Sequence, residues 1–439
     1  MFGFIIFILG LMILMVLIYT GHSLIIWVPV VLFGMLVLSG EGRGLLVYAK
    51  AYLSGMATFI TTNALLFYLG VLMGAYTAQS GLARALAEQL IAWLGTKRTV
   101  LALVLLVSVL TFGGISGFVV IFTVYPVIDQ AFYRLGIPKR FVFGIIAVGM
   151  ASHMIGAMPG TLQIQNIIPT ATLHTDLYAG WRLGLIMSAY LFISGQSYLQ
   201  WRIRQSTPQP DAVETVLPPQ PASERPRGLF LPLGVILVGN FLVSRYGMVH
   251  VPIATASRTL YALNIALVLG ILTLIILSRK PLDHIDILKA SAKTTLKPLL
   301  FVGTTVGFGS ALSLLPALAG TQQTLLAMNP LVGLPLTVAV FAGISGSATG
   351  GLSIAYPFLG EGLLLKIDSM GVAPEVLHRL SVMASVTLDT LPTNGTTMTM
   401  LKVTGLDYRA IYRDYFVLTV LNTSIALMLA ITLAWFGVV

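Results

Sequence analysis

Two short segments carry most of the chemistry in an otherwise apolar chain: AMPGTLQIQN at 157–166 and LDTLPTNGTTMTM at 388–400. Proline removes a helical N–H donor and glycine loosens the backbone, so each segment reads as a helix interrupted in mid-course. Two glycine-rich tips, GGISG at 113–117 and GISGSATGG at 343–351, supply further free helix ends. The N-terminal end of a half-helix presents bare N–H groups and a positive dipole end, which suits a small anion. The candidate substrate-binding residues are therefore Ser116 and Gly117, then Gly160, Thr161, Gln163 and Asn166, then Ser345, Gly346 and Ser347, and finally Thr393, Asn394, Gly395, Thr396 and Thr397. These motifs contain no Lys or Arg, so a bound anion is expected to be held by neutral donors and dipoles.

Asp389 and His153 stand just before the two interruptions and are the candidate ion-coupling residues, because an ionisable group at membrane depth calls for a function. Asp389 can take up a proton, or lend a ligand oxygen to Na⁺ beside Thr393 and Thr396. His153 either titrates or is a core histidine bonded to a carbonyl. His22, His174, His250, His284 and His378 fall near expected helix ends or loops and read as solvated.

Composition sets the surroundings of these groups. The chain is 57% hydrophobic and 9% charged, against roughly 25% charged in soluble domains. Apolar runs of about 20 residues recur, the length that crosses hydrocarbon as helix, and they do not alternate as barrel strands would. An all-α polytopic membrane protein follows. The net charge of +10 reads as basic cytoplasmic loops, not as a nucleic-acid footprint. Without cysteine, thiol chemistry and disulfides are excluded. No zinc motif, nucleotide loop or Ser-His-Asp spacing appears, so neither an enzyme nor a cofactor is expected. The opening run MFGFIIFILGLMILMVLIYTG reads as a first membrane helix, since it lacks a basic start and a small-residue cleavage site.

The chain is also written twice. FGGISG at 112–117 returns as FAGISG at 341–346, Tyr125-Pro126 as Tyr356-Pro357, and MAS at 150–152 as MAS at 383–385. Pro159-Gly160-Thr161 is answered by Pro392 and the residues after it. Residues 1–201 and 229–439 thus form two halves, joined by a Pro-rich polar linker at 202–228. In the first half, helices are expected near 3–20, 24–40, 57–79 and 180–200, with a re-entrant hairpin at 99–133 and a broken helix at 141–170. In the second, they are expected near 229–247, 258–278, 298–319 and 414–436, with a hairpin at 331–365 and a broken helix at 376–401. Five crossings per half make the halves inverted. With the linker in the cytoplasm and both termini outside, only Arg43, Lys50, Arg182, Arg245, Arg258, Lys366 and Arg379 of the 25 basic residues face outward, in keeping with the positive-inside rule. The uncharged stretch AGTQQTLLAMNP reads as an outward turn. Repeats of this kind belong to secondary transporters with a shared midplane site.

GISGFVVIFTVYPV, AMPGTLQIQNIIPT, SGSATGGLSIA and LDTLPTNGTTMTML, the last followed by TGLDYRAIYRDYF, resemble the gluconate permease (GntP) family of the ion transporter superfamily. Thr393 stands where family members handling short hydroxy acids carry His. The resemblance implies a symporter of the cytoplasmic membrane, usually proton-driven, importing an organic monocarboxylate such as gluconate or 3-hydroxybutyrate, and commonly a homodimer. A Na⁺-coupled di- or tricarboxylate carrier and a Na⁺/H⁺ antiporter are the alternatives on the same scaffold.

Overall fold

The computed structural model describes residues 6, 9–10, 12–14, 16–17, 20, 22–40, 44–115, 117–206, 228–243, 255–391 and 394–438. Among them every regular element is helical. After α1 (Leu24–Leu38) come α2 (Leu45–Gln79), α3 (Leu82–Leu94) and a hairpin of α4 (Thr99–Phe112) and α5 (Gly117–Leu135). A broken helix follows, made of α6 (Val142–Ile146, continued as a π-helix over Ala147–Ile155) and α7 (Ile164–Leu173), and then α8 (Trp181–Arg204). Beyond the linker, α9 (Leu231–Leu242) and α10 (Thr255–Leu277) precede a second series in the same order. That series is α11 (His284–Leu312), α12 (Pro316–Ala327), the hairpin α13 (Pro330–Ser345) and α14 (Ala348–Met370), the broken helix α15 (Pro374–Ser385) and α16 (Gly395–Thr404), and α17 (Tyr408–Trp435).

Both hairpins and both breaks lie where proline and glycine put them. Four elements differ from expectation, one of them α11, which starts at His284 and not at 298 because Lys289, Lys293 and Lys297 make its first half too polar to read as a membrane run. α2 starts at Leu45, not at 57, because Tyr48, Lys50 and Ser54 dilute an apolar run without stopping a helix. α3 and α12 occupy stretches read as connections. α3 is amphipathic, burying Leu82, Leu86 and Leu90 while Arg84 and Glu88 pair at 3.4 Å on its other face. α12 contains the supposed turn, and its Gln322 Nε2 donates to the Phe358 carbonyl at 2.8 Å, which gives a polar stretch a reason to be helical against α14.

Equivalent helices of the two series pack against each other antiparallel. Along α2 and α11, Tyr52 hydroxyl meets Thr304 Oγ1 at 3.2 Å and Tyr76 hydroxyl meets His284 Nδ1 at 2.9 Å, so one helix runs down as the other runs up. In α8 and α17, Ser194 pairs with Asn422, while Tyr198 and Arg202 both reach Asp414, at 2.9 and 2.5 Å. Gly303 and Gly307 let α2 and α11 approach closely, in the small-xxx-small manner of membrane helices. A Cβ at Gly307 would stand 2.5 Å from the Tyr52 carbonyl oxygen. Because that neighbour is backbone, Gly307→Leu should destabilise by about 1–3 kcal/mol, read as a lower melting temperature in detergent. An unchanged melting temperature would show that the contact is loose.

Two large apolar clusters and a small one between α2 and α11, of Phe59, Phe67, Leu299 and Val302, make up the core among the described residues. α4, α5 and α6 share one apolar cluster with α9 and α10 of the later half. α13, α14 and α15 share the other large one with α1 and with Ile6 and Leu14. Each hairpin therefore leans on the leading helices of the opposite half.

Candidate functional site

At the second break the chain leaves α15 after Ser385 and re-enters helix at Gly395. Asn394 caps α16, its Oδ1 accepting from Thr397 N–H at 2.8 Å and from the Thr397 hydroxyl at 3.2 Å. Its Nδ2 donates to the carbonyls of Asp389 at 2.9 Å and of Gly346 at 3.2 Å. One amide thus ties the break to the second hairpin tip. The tip turns at Gly346, whose φ of 59° favours glycine. Ser345 donates its hydroxyl to the Phe341 carbonyl at 2.7 Å, and Ser347 Oγ accepts from Gly350 N–H at 3.2 Å as the cap of α14. Thr397 hydroxyl meets that of Tyr415 at 3.0 Å, and Thr390 donates to Thr419 Oγ1 at 2.6 Å. Amid these satisfied groups, the buried Asp389 carboxyl keeps Oδ1 without a hydrogen-bond partner. Thr396 is half-buried beside them, and Ser116 and Thr393 lie outside the described residues.

The first break repeats this plan with different chemistry. Gln163 Nε2 donates to the carbonyls of Thr111, at 2.5 Å, and Ile115, at 3.2 Å, and so ties the break to the first hairpin tip. The tip turns at Gly114, with φ of 84°, just before Gly117 opens α5. Asn166 Nδ2 donates to the carbonyls of Thr161 and Leu177 at 3.0 and 2.9 Å. Gly160 N–H donates to the same Leu177 carbonyl at 2.8 Å. Thr161 is fully buried, and its hydroxyl has no partner.

The two breaks lie back to back. A Cβ at Gly156 would fall 2.6 Å from Val386 Cγ2. α14 and α15 pack on α7, and α16 packs on α5.

Into the first break comes a cation that the motifs do not contain. Arg379, on α15, is fully buried. Its guanidinium donates to the carbonyls of Ala179 at 2.8 and 3.2 Å, Leu177 at 3.3 Å and Met158 at 3.4 Å. Its neighbour His378 is also fully buried, with Nε2 3.0 Å from Asn166 Oδ1 and Nδ1 2.7 Å from the Thr175 hydroxyl. Three sequence expectations change here. Arg379, counted among the outward-facing basic residues, is buried within the protein, His378 is not solvated, and a cation reaches the first break although its motif contains none. The reason is that the partners are backbone carbonyls some 200 residues upstream, which leave no mark in residue type.

His153 sits on the π-helical stretch of α6 with both ring nitrogens engaged, by the Val148 carbonyl at 2.5 Å and the Ser108 hydroxyl at 3.3 Å. Its ring stands edge-on to Phe192 at 5.2 Å. That is the setting of a core histidine. Among the described residues no three His, Asp or Glu side chains gather as a metal site. An open cleft of about 520 Å³ over the connection into α8 and its first turn, lined by Asp176, Tyr178, Arg182 and Glu375 among others, includes none of the candidate binding residues.

Asn394 has no hydrogen-bonding capacity left for a ligand in this arrangement, so its role is to position the tip and α16. Asn394→Ala removes the cap and strands two buried carbonyls. At about 1.5–3 kcal/mol for lost buried partners, the apparent transport constant should rise at least tenfold, together with a lower melting temperature. Uptake kinetics and melting that both match the parent chain would rule this positioning role out.

Comparison with known proteins places this geometry among transporters. The family model described as "Tripartite ATP-independent periplasmic transporter, DctM component" matches residues 11–328. The "Uncharacterized transporter YxjC" of Bacillus subtilis (strain 168) is 33% identical over 460 residues, covering 96% of each chain. The crystal structure of the Alcanivorax borkumensis YdaH transporter superposes with a TM-score of 0.54 over 94% of this chain and 97% of that one, at 17% identity, a likeness of fold alone. The resemblance to gluconate permeases is thereby corrected, since the matching family model is the DctM one. The segments that carried the resemblance are helix interruptions and small-residue tips, features of chain shape that do not single out one transporter family. Gluconate and 3-hydroxybutyrate, which rested on it, fall away.

Proposed function

The chain belongs to the tripartite ATP-independent periplasmic transporter family as its DctM component, and from that membership we propose that it couples entry of a small organic carboxylate to a cation bound at Asp389. It is a membrane secondary transporter; the substrate class and the coupling ion are our reading. The observation that carries it is the buried Asp389 carboxyl at the second break, whose Oδ1 has no hydrogen-bond partner, on a residue that Asn394, the cap of α16, ties to the Gly346 carbonyl beside the start of α14. A bare carboxylate there repels an organic anion. Once neutralised by H⁺ or Na⁺, it leaves the two helix starts free to attract one. Ion and substrate would then bind together or not at all, which is what symport requires.

Uptake of labelled hydroxy acids and dicarboxylates into proteoliposomes, with H⁺ and Na⁺ gradients imposed separately, tests the proposal. Accumulation that ignores both gradients would refute it. The family description also names one component of a three-part periplasmic system, so a periplasmic protein that delivers substrate is the expected partner. Full uptake by the chain alone would argue against that need.

For orientation, we take residues 202–228 to face the cytoplasm, on the strength of the basic-residue bias. Ser223→Cys in this cysteine-free chain should resist an impermeant maleimide applied to intact cells. Ready labelling from outside would reverse the orientation.

A further inference from the structure

α11 is 29 residues long, about 43 Å at 1.5 Å per residue, more than the roughly 30 Å of hydrocarbon. Its second half is sunk in the α2 contact. Its first half carries three kinds of side chain on three faces. Ile287, Ser291, Thr295 and Leu299 form the buried stripe. Lys289, Lys293 and Lys297, spaced by four, stand exposed on the far side. Between the stripes, Leu288 is 41% exposed and Leu296 57%, while Ile285, 64% exposed, stands one turn before Lys289 on the lysine row. A row of cations about 12 Å long beside an open apolar strip matches a phospholipid, with acyl chains on the leucines and phosphates under the ammonium groups.

A separate observation points to interface depth for the start of α11. Tyr76, near the end of α2, binds His284. α3 follows α2 directly and ends at Leu94, where Trp93, 64% exposed, stacks on Phe230 at 5.4 Å. Exposed aromatic pairs of this kind mark the membrane–water boundary.

We infer that Lys289, Lys293 and Lys297 form a binding site for the headgroups of anionic phospholipids. The site lies on the helix that braces the two halves, so lipid bound there steadies the α2–α11 pair.

The test is lipid titration of the full-length chain in detergent, using phosphatidylglycerol and phosphatidylcholine, with native mass spectrometry to count bound lipid and melting to read stabilisation. The parent chain should prefer phosphatidylglycerol at least tenfold, and the preference should shrink with added salt. The triple variant Lys289→Gln, Lys293→Gln, Lys297→Gln should weaken phosphatidylglycerol binding about a hundredfold. The triple Arg variant should retain it. All three positions are exposed, so neither variant threatens the fold. A Gln variant that keeps the preference overturns the inference. So does a membrane protein that co-purifies with the parent chain and shields the three lysines from amine-modifying reagent.

Discussion

Asp389→Asn is expected to reduce gradient-driven accumulation of substrate to background. The amide keeps the size and most hydrogen-bonding geometry of the acid, so the break and its ties through Asn394 stay in place. It can neither take up a proton nor offer Na⁺ an anionic oxygen. The driving ion therefore loses its seat, and the free energy of the gradient has no route to the substrate. Exchange of labelled for unlabelled substrate should survive, because exchange needs only the loaded carrier to turn over. His153→Gln is the control. With both ring nitrogens held internally, it should leave accumulation largely intact at some cost in stability. Normal accumulation by Asp389→Asn alongside failure of His153→Gln would reverse the two assignments.

The second large effect is expected at Arg379. Arg379→Met fills similar volume but withdraws every donor from the Ala179 carbonyl, and one each from Leu177 and Met158. Each buried carbonyl left short costs about 1–3 kcal/mol, so a loss of about 3–5 kcal/mol is expected, a large share of a typical protein's stability. The readouts are the amount of chain recovered from the membrane and its melting temperature. Arg379→Lys should fall between, since an ammonium group cannot span acceptors laid out for a planar guanidinium. A Met variant that melts with the parent chain would show that water replaces the guanidinium easily, and that the break is more open than its burial implies.

The parts that sequence made legible are those where local chemistry forces a local shape. Pro159 and Gly160 fall where the first broken helix is interrupted, Gly395 opens α16 after the second interruption, and FGGISG and FAGISG announce two tips through their spacing alone. α3 and α12 escaped notice because amphipathic and polar helices look like connections until the surface beneath them is known, Phe358 in the case of Gln322. Each interrupted helix is tied to its own hairpin tip, and residue type alone was silent about how the candidate residues divide their labour. Asn394, Gln163 and Asn166 spend their amides on backbone carbonyls, a use that residue type cannot distinguish from ligand binding. Arg379 was the hardest to read. Its position in PEVLHRLSVMAS is an ordinary helix start, and only the fold brings it against Met158 and Ala179.

The reach of Arg379 also sets an order of events during synthesis. Of the groups that close the first break, Gln163, Asn166 and the 174–180 loop emerge early, while His378 emerges together with Arg379. The cation that completes it emerges about 200 residues after Gly180, a wait of roughly 10–40 s at ordinary translation speeds. For that interval the first half sits in the bilayer with carbonyls exposed at its break, open to water, lipid or a chaperone. It is a half-built transporter that cannot seal itself until its twin arrives.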